Sequence, residues 1–386
     1  MKNNFISKAN FAICALVLAG VTFASCNNGT KATSSSDTSS TTSTRVDVDT
    51  ATTEAKPLTP KGPKPTWAPD IKPEMAVVIE KLASYGDKPI ETLTAVEARK
   101  NHTATDAVMD VMKDNNIPMP APKVDTMGKE IPVAGGNIHL RIYTPKEKKD
   151  AYPVIVYYHG GGFVIANIDV YNASAQAMAE QVGAVVVSVA YRLAPEHKFP
   201  TAHDDSYAAY AWVVKNAASI KGDPKKIAVL GESAGGNLAV ATAIKARDNK
   251  IMVPTHIVSV YPIAQADMTT PSYTKNANAK PLNKAMMMWF TKNYVRTMAD
   301  AKDPRISLTM ANLKGLPATT IITDEYDPLQ SDGMMLADKL KAAGVDVTSK
   351  NYDGVTHEFF GMATVVPQAK EAQAFAASAL KKAFGM

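Results

Sequence analysis

Two short glycine-containing motifs occur in this chain in an order that suits acyl transfer to a serine. A His-Gly-Gly-Gly run at residues 159–162 precedes a Gly-Glu-Ser-Ala-Gly run at residues 231–235. A serine hydroxyl attacks an ester carbonyl poorly unless the protein exposes it, places a base beside it and stabilises the oxyanion that forms. The motifs contain candidates for the nucleophile and for the oxyanion donors, so they predict a serine hydrolase.

Ser233 is the predicted nucleophile. The apolar run at residues 227–230 predicts a buried strand before it, and the Ala- and Leu-rich stretch after it predicts a helix. Ser233 then lies on a sharp strand-to-helix turn, where small neighbours let the two elements approach closely. The backbone N–H of Ala234, at the start of the helix, is the first predicted oxyanion donor.

The glycine run supplies the other predicted donors. It follows residues 153–158, a β-branched and aromatic stretch that is typical of a buried strand. Without side chains, the N–H groups of Gly161 and Gly162 can face an incoming carbonyl at hydrogen-bond distance. His159 is interpreted as a structural residue that hydrogen-bonds this loop into shape.

The base must be a histidine that follows Ser233. Hydrolases with this turn place the members of their triad in the chain order Ser, then Asp or Glu, then His. His256 begins an apolar run that looks like a strand entering the core, whereas His357 comes just after such a run. His357 is therefore the predicted base.

The carboxylate that orients the base should follow the strand predicted at residues 318–323. Asp324, Glu325 and Asp327 all occur there. Asp327 lies deeper in the turn that Pro328 sets, whereas the other two come immediately off the strand. This position favours Asp327 and leaves Asp324 and Glu325 as alternatives.

Five segments together resemble the hormone-sensitive-lipase-like esterases, which are the bacterial family IV carboxylesterases. These segments lie at residues 159–163, 191–196, 231–236, 327–329 and 354–357. The resemblance extends from about Lys123 to the C-terminus. It implies an α/β-hydrolase fold, with a mostly parallel central sheet flanked by helices and covered by a helical cap.

The resemblance also implies a site, a reaction and an assembly. Ser233, Asp327 and His357 match the family's triad, and Gly161, Gly162 and Ala234 match its oxyanion hole. The implied reaction is the hydrolysis of short acyl esters, acetyl to hexanoyl, without a cofactor. Family members often dimerise, which makes a homodimer one candidate assembly.

Charged residues beside the motifs receive structural interpretations. Arg192, Glu196 and Asp205 are interpreted as ion-pair or loop-clamping residues, because acyl transfer needs no guanidinium there. Glu232 either tunes the nucleophile or fixes the turn, and fixing is favoured. His203 is interpreted as a surface or packing residue.

Residues 1–26 are a predicted signal peptide. A basic start precedes an apolar run at residues 11–24 that is too short to span a membrane comfortably. The end resembles a lipobox, in which Cys26 is lipidated, although Phe23 replaces the usual leucine and ordinary cleavage nearby is the alternative. Cys14 leaves with the signal, so no internal disulfide is expected. The predicted location is the bacterial envelope, facing the periplasm or the surface, or outside the cell without the lipid.

The rest of the chain divides by composition into three predicted regions. Residues 27–66 are rich in Ser, Thr and Pro and predict a disordered tether. Residues 67–122 predict a helical cap region, and residues 123–386 the catalytic domain. An insertion at about 265–298 should join the cap, and its Met-Met-Met-Trp-Phe run at 286–290 suits either an adaptable acyl pocket or a helix core.

The catalytic region alternates short apolar runs with Ala-rich helical stretches. The runs lie at residues 184–189, 227–230, 257–261, 321–323 and 345–347. This alternation is typical of a parallel α/β sheet.

Charge and ligand patterns exclude several classes of partner. The formal charge of +5 falls to +3 once Lys2 and Lys8 leave with the signal, and no basic aromatic stripe occurs. Nucleic acid is therefore not an expected partner. The expected partner is a small ester substrate, as the serine hydrolase motifs predict. His357-Glu358 lacks a second histidine at the zincin spacing, so no metal is predicted.

Two alternatives to a small-ester hydrolase stay open. A deacetylase acting on acetylated polysaccharide or oligosaccharide should have an open groove lined with aromatic residues. A catalytically silent ligand-binding protein could keep the hydrolase pocket, although intact Ser233, Asp327 and His357 argue against it. If His357 is the base, activity should rise with pH through an apparent pKa of roughly 6 to 7.

Overall fold

The computed structural model describes residues 57–386. The predicted signal peptide, the lipidation site Cys26 and most of the predicted tether lie outside the described residues. Residues 57–66 contain no helix or strand, but the backbone N–H groups of Lys61 and Gly62 each donate to the carboxylate of Glu80 at 2.8 Å. Within this described range, no helix is long and apolar enough to cross a membrane.

The secondary structure alternates strands and helices from residue 124 onwards. The helices are α1 Pro73–Ser84, α2 Ala95–Ala98, α3 Ala104–Asp114, α4 Asn172–Val182, α5 Thr201–Asn216, α6 Ala234–Asp248, α7 Pro271–Lys275, α8 Lys284–Tyr294, α9 Gln330–Ala342 and α10 Pro367–Phe384. The strands are β1 Val124–Val133, β2 Gly136–Pro145, β3 Tyr152–Tyr158, β4 Val185–Ala190, β5 Gly222–Glu232, β6 Ile257–Val260, β7 Thr319–Tyr326 and β8 Val347–Thr356. Short 3₁₀ turns connect several of them.

The eight strands form one sheet in the order β1-β2-β4-β3-β5-β6-β7-β8. β1 and β2 pair antiparallel at one edge, and the remaining strands run parallel to one another. Every residue of β3 is buried, as expected for a parallel strand covered on both faces. Val154 and Val156 enter one core with α5, α6 and α9, while Ile155 and Tyr157 enter the other with α4 and α10. The predicted fold class is confirmed.

Two predicted strand limits were wrong. β7 runs on to Tyr326, so Asp324 and Glu325 are strand residues and do not follow the strand. The run predicted at 345–347 only introduces β8, whose residues Val347–Thr356 include an exposed polar stretch. β8 is the last strand of the sheet, and the polar residues of an edge strand interrupt the apolar pattern that marks a buried one.

The segment before the sheet packs on both cores. α1 and α3 lie in the core that contains Tyr157, whereas Ala95 and Ala98 of α2 lie in the core that contains Phe290 of α8. The indole N–H of Trp289 donates to the backbone carbonyl of Leu93 at 2.9 Å. The two segments predicted to form a cap therefore contact each other.

Candidate active site

Ser233 lies on the turn between β5 and α6. Its φ of 58° and ψ of −117° place a residue with a side chain in a region that glycine normally occupies. A Cβ on Gly231 would overlap the backbone of Gly235, and a Cβ on Gly235 would overlap the carbonyl of Tyr158. The glycines let α6 begin directly against the sheet, which holds the Ser233 side chain at the end of the strands.

His357 and Asp327 complete a chain of hydrogen bonds with Ser233. The Nε2 atom of His357 is 2.9 Å from Oγ of Ser233, and Nδ1 is 2.7 Å from Oδ2 of Asp327. The backbone N–H of Leu329 donates to Oδ1 of Asp327 at 2.7 Å. Ser233, His357 and Asp327 are all buried, and Asp327 is completely inaccessible to solvent.

The three acids that the sequence left open have different neighbours. Asp327 alone among them hydrogen-bonds the His357 ring within the described residues. Glu325 accepts the backbone N–H of Gly354 at 3.0 Å and pairs with Lys275 at 3.3 Å. Its carboxylate therefore contacts β8 and α7 and does not hydrogen-bond His357. Neither carboxyl oxygen of Asp324 accepts a hydrogen bond within the described residues.

Burial and charge act in opposite directions on His357. Burial alone would lower the pKa of the imidazole, but the charge of Asp327 and its hydrogen bond to Nδ1 outweigh the burial. The net result is a His357 pKa above its ordinary value of 6.5. The sequence predicted an apparent pKa of roughly 6 to 7 for activity, and this result disfavours the lower part of that range.

The glycine loop presents unused N–H groups beside Ser233. Gly161 and Gly162 have φ values of 99° and 58°, and a Cβ on either would overlap Ile165 or the ring of Phe290. Within the described residues, the N–H groups of Gly161, Gly162 and Ala234 donate to no protein atom. They remain free to bind a substrate oxygen.

His159 holds this loop, as interpreted from the sequence. Its Nδ1 lies 2.8 Å from the carbonyl oxygen of Gly160, and its ring stacks on Tyr191 with the centroids 4.2 Å apart. The Tyr191 hydroxyl donates to the His159 carbonyl at 2.8 Å. Burial lowers the pKa of His159 to about 4, so the ring stays neutral near pH 7.

Glu232 stabilises the turn that carries Ser233. It accepts the hydroxyls of Tyr157 and Tyr261, each at 2.5 Å, and is buried. Burial raises its pKa above the ordinary value. The two tyrosines occupy both carboxyl oxygens, which supports fixing of the turn over tuning of Ser233.

Two ion pairs hold the loops around the site. Arg192 pairs with Asp205 at 2.7 Å, and Glu196 pairs with Arg99 at 2.8 Å. Arg99 also donates to the carbonyls of Val164 and Ala194. The ion-pair interpretation holds, but Glu196 pairs with a residue far outside the motif, and no local sequence signal marks Arg99 as that partner.

His203 does not take part in the Ser233 chain of hydrogen bonds. Its Nδ1 is 2.7 Å from the Tyr294 hydroxyl, and its Nε2 is 2.9 Å from the side-chain oxygen of Asn237. Burial lowers the pKa of His203 to about 4. The residue links α5, α6 and α8, which agrees with a packing role.

Ser233 and His357 open into a cavity of about 560 Å³, a volume typical of small-molecule sites. Its apolar walls include Ile263, Leu282, Met286, Met287 and Phe290. Met288, by contrast, is 58% exposed. Of the methionine run, two residues face the cavity and one faces solvent.

Glu358 was missed as a site residue by sequence reasoning. It lines the cavity next to His357, accepts the Tyr171 hydroxyl at 3.4 Å, and has a φ of 69°. Burial raises its pKa. Its position directly after His357 was the one available signal, and backbone strain of this kind concentrates at functional sites.

One group of side chains in the described chain has donor atoms close enough for a metal ion. An atom each from Asp324, Asp327 and His357 lies within 4.8 Å of the others. Both nitrogens of His357 already have partners in Asp327 and Ser233. The hydrogen bonds account for the closeness of Asp327 and His357 without a metal, but they do not include Asp324.

Comparison with known proteins decides the family. A family model described as alpha/beta hydrolase fold matches residues 155–361, more than half of the sequence. The chain belongs to this family. Within it, the protein is a hormone-sensitive-lipase-like carboxylesterase, as its relatives indicate, and the resemblance drawn from the sequence is confirmed.

The esterase has curated relatives along most of its length. Carboxylesterase NlhH of Mycobacterium tuberculosis is 42% identical over 253 residues, which cover 64% of this chain and 79% of the relative. Ethyl acetate hydrolase of Pseudomonas putida is 30% identical over 319 residues, which cover 81% of this chain and 98% of the relative. The enzyme is a carboxylic ester hydrolase, and the silent binding protein is disfavoured.

Solved structures similar to this chain are also esterases. A hyperthermophilic esterase from the archaeon Pyrobaculum calidifontis superposes on the esterase with a TM-score of 0.74 at 35% identity. The match covers 81% of this chain and 98% of that one. The similarity extends beyond the catalytic region into the helical segment before the sheet, because 81% of the chain exceeds the length from residue 123 onwards.

Proposed function

We propose that the enzyme hydrolyses esters through an acyl-enzyme on Ser233. His357 takes the proton from Ser233 Oγ, the oxygen attacks the ester carbonyl, and His357 returns the proton to the leaving alcohol. Water then clears the acyl group by the same route. The observation that carries the proposal is the hydrogen-bond chain from Ser233 to His357 at 2.9 Å and on to Asp327 at 2.7 Å.

The oxyanion would be held by the N–H groups of Gly161, Gly162 and Ala234. These groups are unused within the described chain, and Gly161 and Gly162 line the cavity beside Ser233. Donors that are fixed in place before the reaction stabilise the developing charge without reorganisation, and each is worth about 3 kcal/mol of barrier.

The pH dependence follows from the raised pKa of His357. Only neutral His357 can accept the Ser233 proton, and a raised pKa keeps the ring protonated to higher pH. We therefore expect kcat/KM to have its full value at high pH. It should fall as the pH drops through a midpoint above 6.5. Initial rates on one small ester from about pH 5 to 9 measure this. A flat profile, or a midpoint below the ordinary histidine value, would contradict the role of His357.

Short acyl groups, acetyl to hexanoyl, are the proposed substrates. The P. putida relative, which is named an ethyl acetate hydrolase, is covered over 98% of its length by this chain. The Phe290 ring packs directly on Gly162, and both residues line the main cavity and a second void of about 30 Å³. The test is hydrolysis of p-nitrophenyl acetate, butyrate, octanoate and laurate, with kcat/KM expected to fade as the chain lengthens. A preference for laurate would exclude a short-acyl enzyme.

Replacing Phe290 by alanine should lengthen the accepted acyl chain. Phe290 lines both cavities together with Gly162, Ile263 and Met287, so removal of its ring should widen the space between them. We expect the ratio of kcat/KM for octanoate to that for acetate to rise by roughly tenfold. Met288→Ala is the control, because Met288 lies on the same helix and is 58% exposed. Loss of the buried ring costs about 3–5 kcal/mol, so melting curves must show that the variant is folded. An unchanged ratio in a folded variant would refute this role.

The deacetylase of acetylated saccharides is the second candidate. Phe290 is the one aromatic residue among those described around the main cavity, which disfavours the stacking groove that a polymer would use. Charged side chains also line it, among them Lys88, Glu91 and Glu358, and these could bind hydroxyl groups. Release of acetate from acetylated xylan at a rate matching the small esters would favour this candidate.

We also propose that the enzyme is anchored at a bacterial envelope through lipid on Cys26. The support is the sequence alone, since the basic start, the apolar run and the cysteine lie outside the described residues. Labelling of the wild type with a fatty acid, and its loss in Cys26→Ala, would test this. A homodimer is proposed from the family resemblance, and light scattering of the purified protein would test it.

A further inference from the structure

Asp324 is a completely buried carboxyl group that the proposed mechanism does not use. It lies in β7, and its exposed fraction is 0%. Neither of its carboxyl oxygens accepts a hydrogen bond from any donor within the described residues. A buried carboxyl group with no donor normally carries a large desolvation cost, so its retention beside the site calls for a partner.

The neighbour of Asp324 is Asp327. One carboxyl oxygen of Asp324 lies within 4.8 Å of an oxygen of Asp327 and of a nitrogen of His357. The pairing of β7 with β8 is irregular between Asp324 and Tyr326, and such irregularities re-aim side chains. Asp324 lies within β7 and Asp327 directly after its end, and the irregular stretch between them brings both acids to the same place.

We propose that Asp324 is a positioning residue that acts through Asp327, donating its carboxylic acid O–H to the Asp327 carboxylate. Asp327 already accepts the N–H of Leu329 on one oxygen and the ring N–H of His357 on the other. A third donor would hold the carboxylate in the plane that receives His357. It would do so without adding charge to the site.

The electrostatics agree with a neutral Asp324. Burial and the charge of Asp327 raise the pKa of Asp324 well above its ordinary value. Asp327 faces Asp324, and a nitrogen of His357 also lies within 4.8 Å of an Asp324 oxygen. From α9, Asp332 faces Asp327, but burial raises the pKa of Asp332 to about 8. The carboxylate that carries the charge is then Asp327.

Matched replacements of Asp324 separate the possible roles. Asp324→Asn keeps the shape and offers an amide N–H to Asp327, so we expect kcat and the pH midpoint to stay near wild type. Asp324→Ala removes the donor, which makes Asp327 a stronger partner for protonated His357. We expect the midpoint of kcat/KM to move to higher pH and kcat to fall by roughly tenfold.

Three results would overturn the proposal. The first is an Asp324→Ala variant that is folded and keeps the wild-type pH profile. The second is an Asp324→Asn variant that loses as much activity as Asp324→Ala. The third is an Asp324→Asn midpoint that moves to lower pH, since this would mean that Asp324 is ionised in the wild type.

A readout without turnover completes the test. Infrared difference spectra of wild type against Asp324→Asn near pH 7 should contain the C=O stretch of one neutral carboxylic acid, and its absence would refute the proposal. The inference rests on the proposed function, because it assumes that Asp327 orients His357. The two failures are distinguishable: full activity in Asp327→Asn would remove the triad assignment, whereas the infrared band reports on Asp324 whatever Asp327 does.

Discussion

Replacing Ser233 by alanine should reduce kcat/KM for p-nitrophenyl butyrate by a factor on the order of 10⁵ to 10⁶. Without Oγ no acyl-enzyme can form, and the hydrogen bond to Nε2 of His357 disappears with it. The oxyanion donors remain, so a residual rate above that in water should persist. Ester binding should change little, because the cavity keeps its other walls.

The control for Ser233→Ala is a second buried serine close by. Ser259 donates to the backbone carbonyl of Gly236 at 2.9 Å and lies on β6, so Ser259→Ala removes one buried hydrogen bond from the same region. This variant should keep activity within a few-fold and lose some stability. Turnover that survives Ser233→Ala, measured on freshly purified protein, would exclude Ser233 as the nucleophile.

Replacing Asp327 by asparagine should lower kcat by roughly 10⁴-fold while the protein stays folded. Asp327 accepts the N–H at Nδ1 of His357, which leaves Nε2 as the acceptor for the Ser233 proton. An asparagine amide can donate to Nδ1, which favours the tautomer whose proton is on Nε2. That tautomer cannot deprotonate Ser233, so the loss should appear in kcat at all accessible pH values.

The control for Asp327→Asn is the pair of acids that the sequence left open. Glu325 bonds Gly354 and Lys275 without contacting His357, so Glu325→Gln should keep activity within a few-fold. Asp324→Asn should behave in the same way for the reason given above. If Glu325→Gln costs more kcat than Asp327→Asn, the assignment of the acid is wrong.

Local patterns predicted much of the candidate site. Ser233 was identified because a strand, a sharp turn and a helix must be close together in sequence. Gly161 and Gly162 were predicted because a side chain at either position would obstruct the approach of a substrate carbonyl to the backbone N–H groups. His357 followed from chain order, and the structure brings its ring to within 2.9 Å of Ser233.

Contacts between distant segments were not predictable in the same way. Arg99 pairs with Glu196 across 97 residues, and Glu232 accepts the hydroxyls of Tyr157 on β3 and of Tyr261 just after β6. Nothing in the sequence near these residues marks the partner. The β7 limit was misplaced for a related reason, since Asp324 and Glu325 are polar but lie in a strand that pairs with β8.

The sequence by itself determined the fold class and predicted the nucleophile, the base and the donors of the glycine loop. Each of these depends on a backbone conformation or a chain order that a short motif records. Only the tertiary structure decided which of three acids hydrogen-bonds His357, what Glu232 binds, and that the buried Asp324 lies beside Asp327 without accepting a hydrogen bond from the described residues. Hydrogen bonds, burial and the pKa shifts they cause depend on distances between side chains, and those distances exist only once the strands have come together.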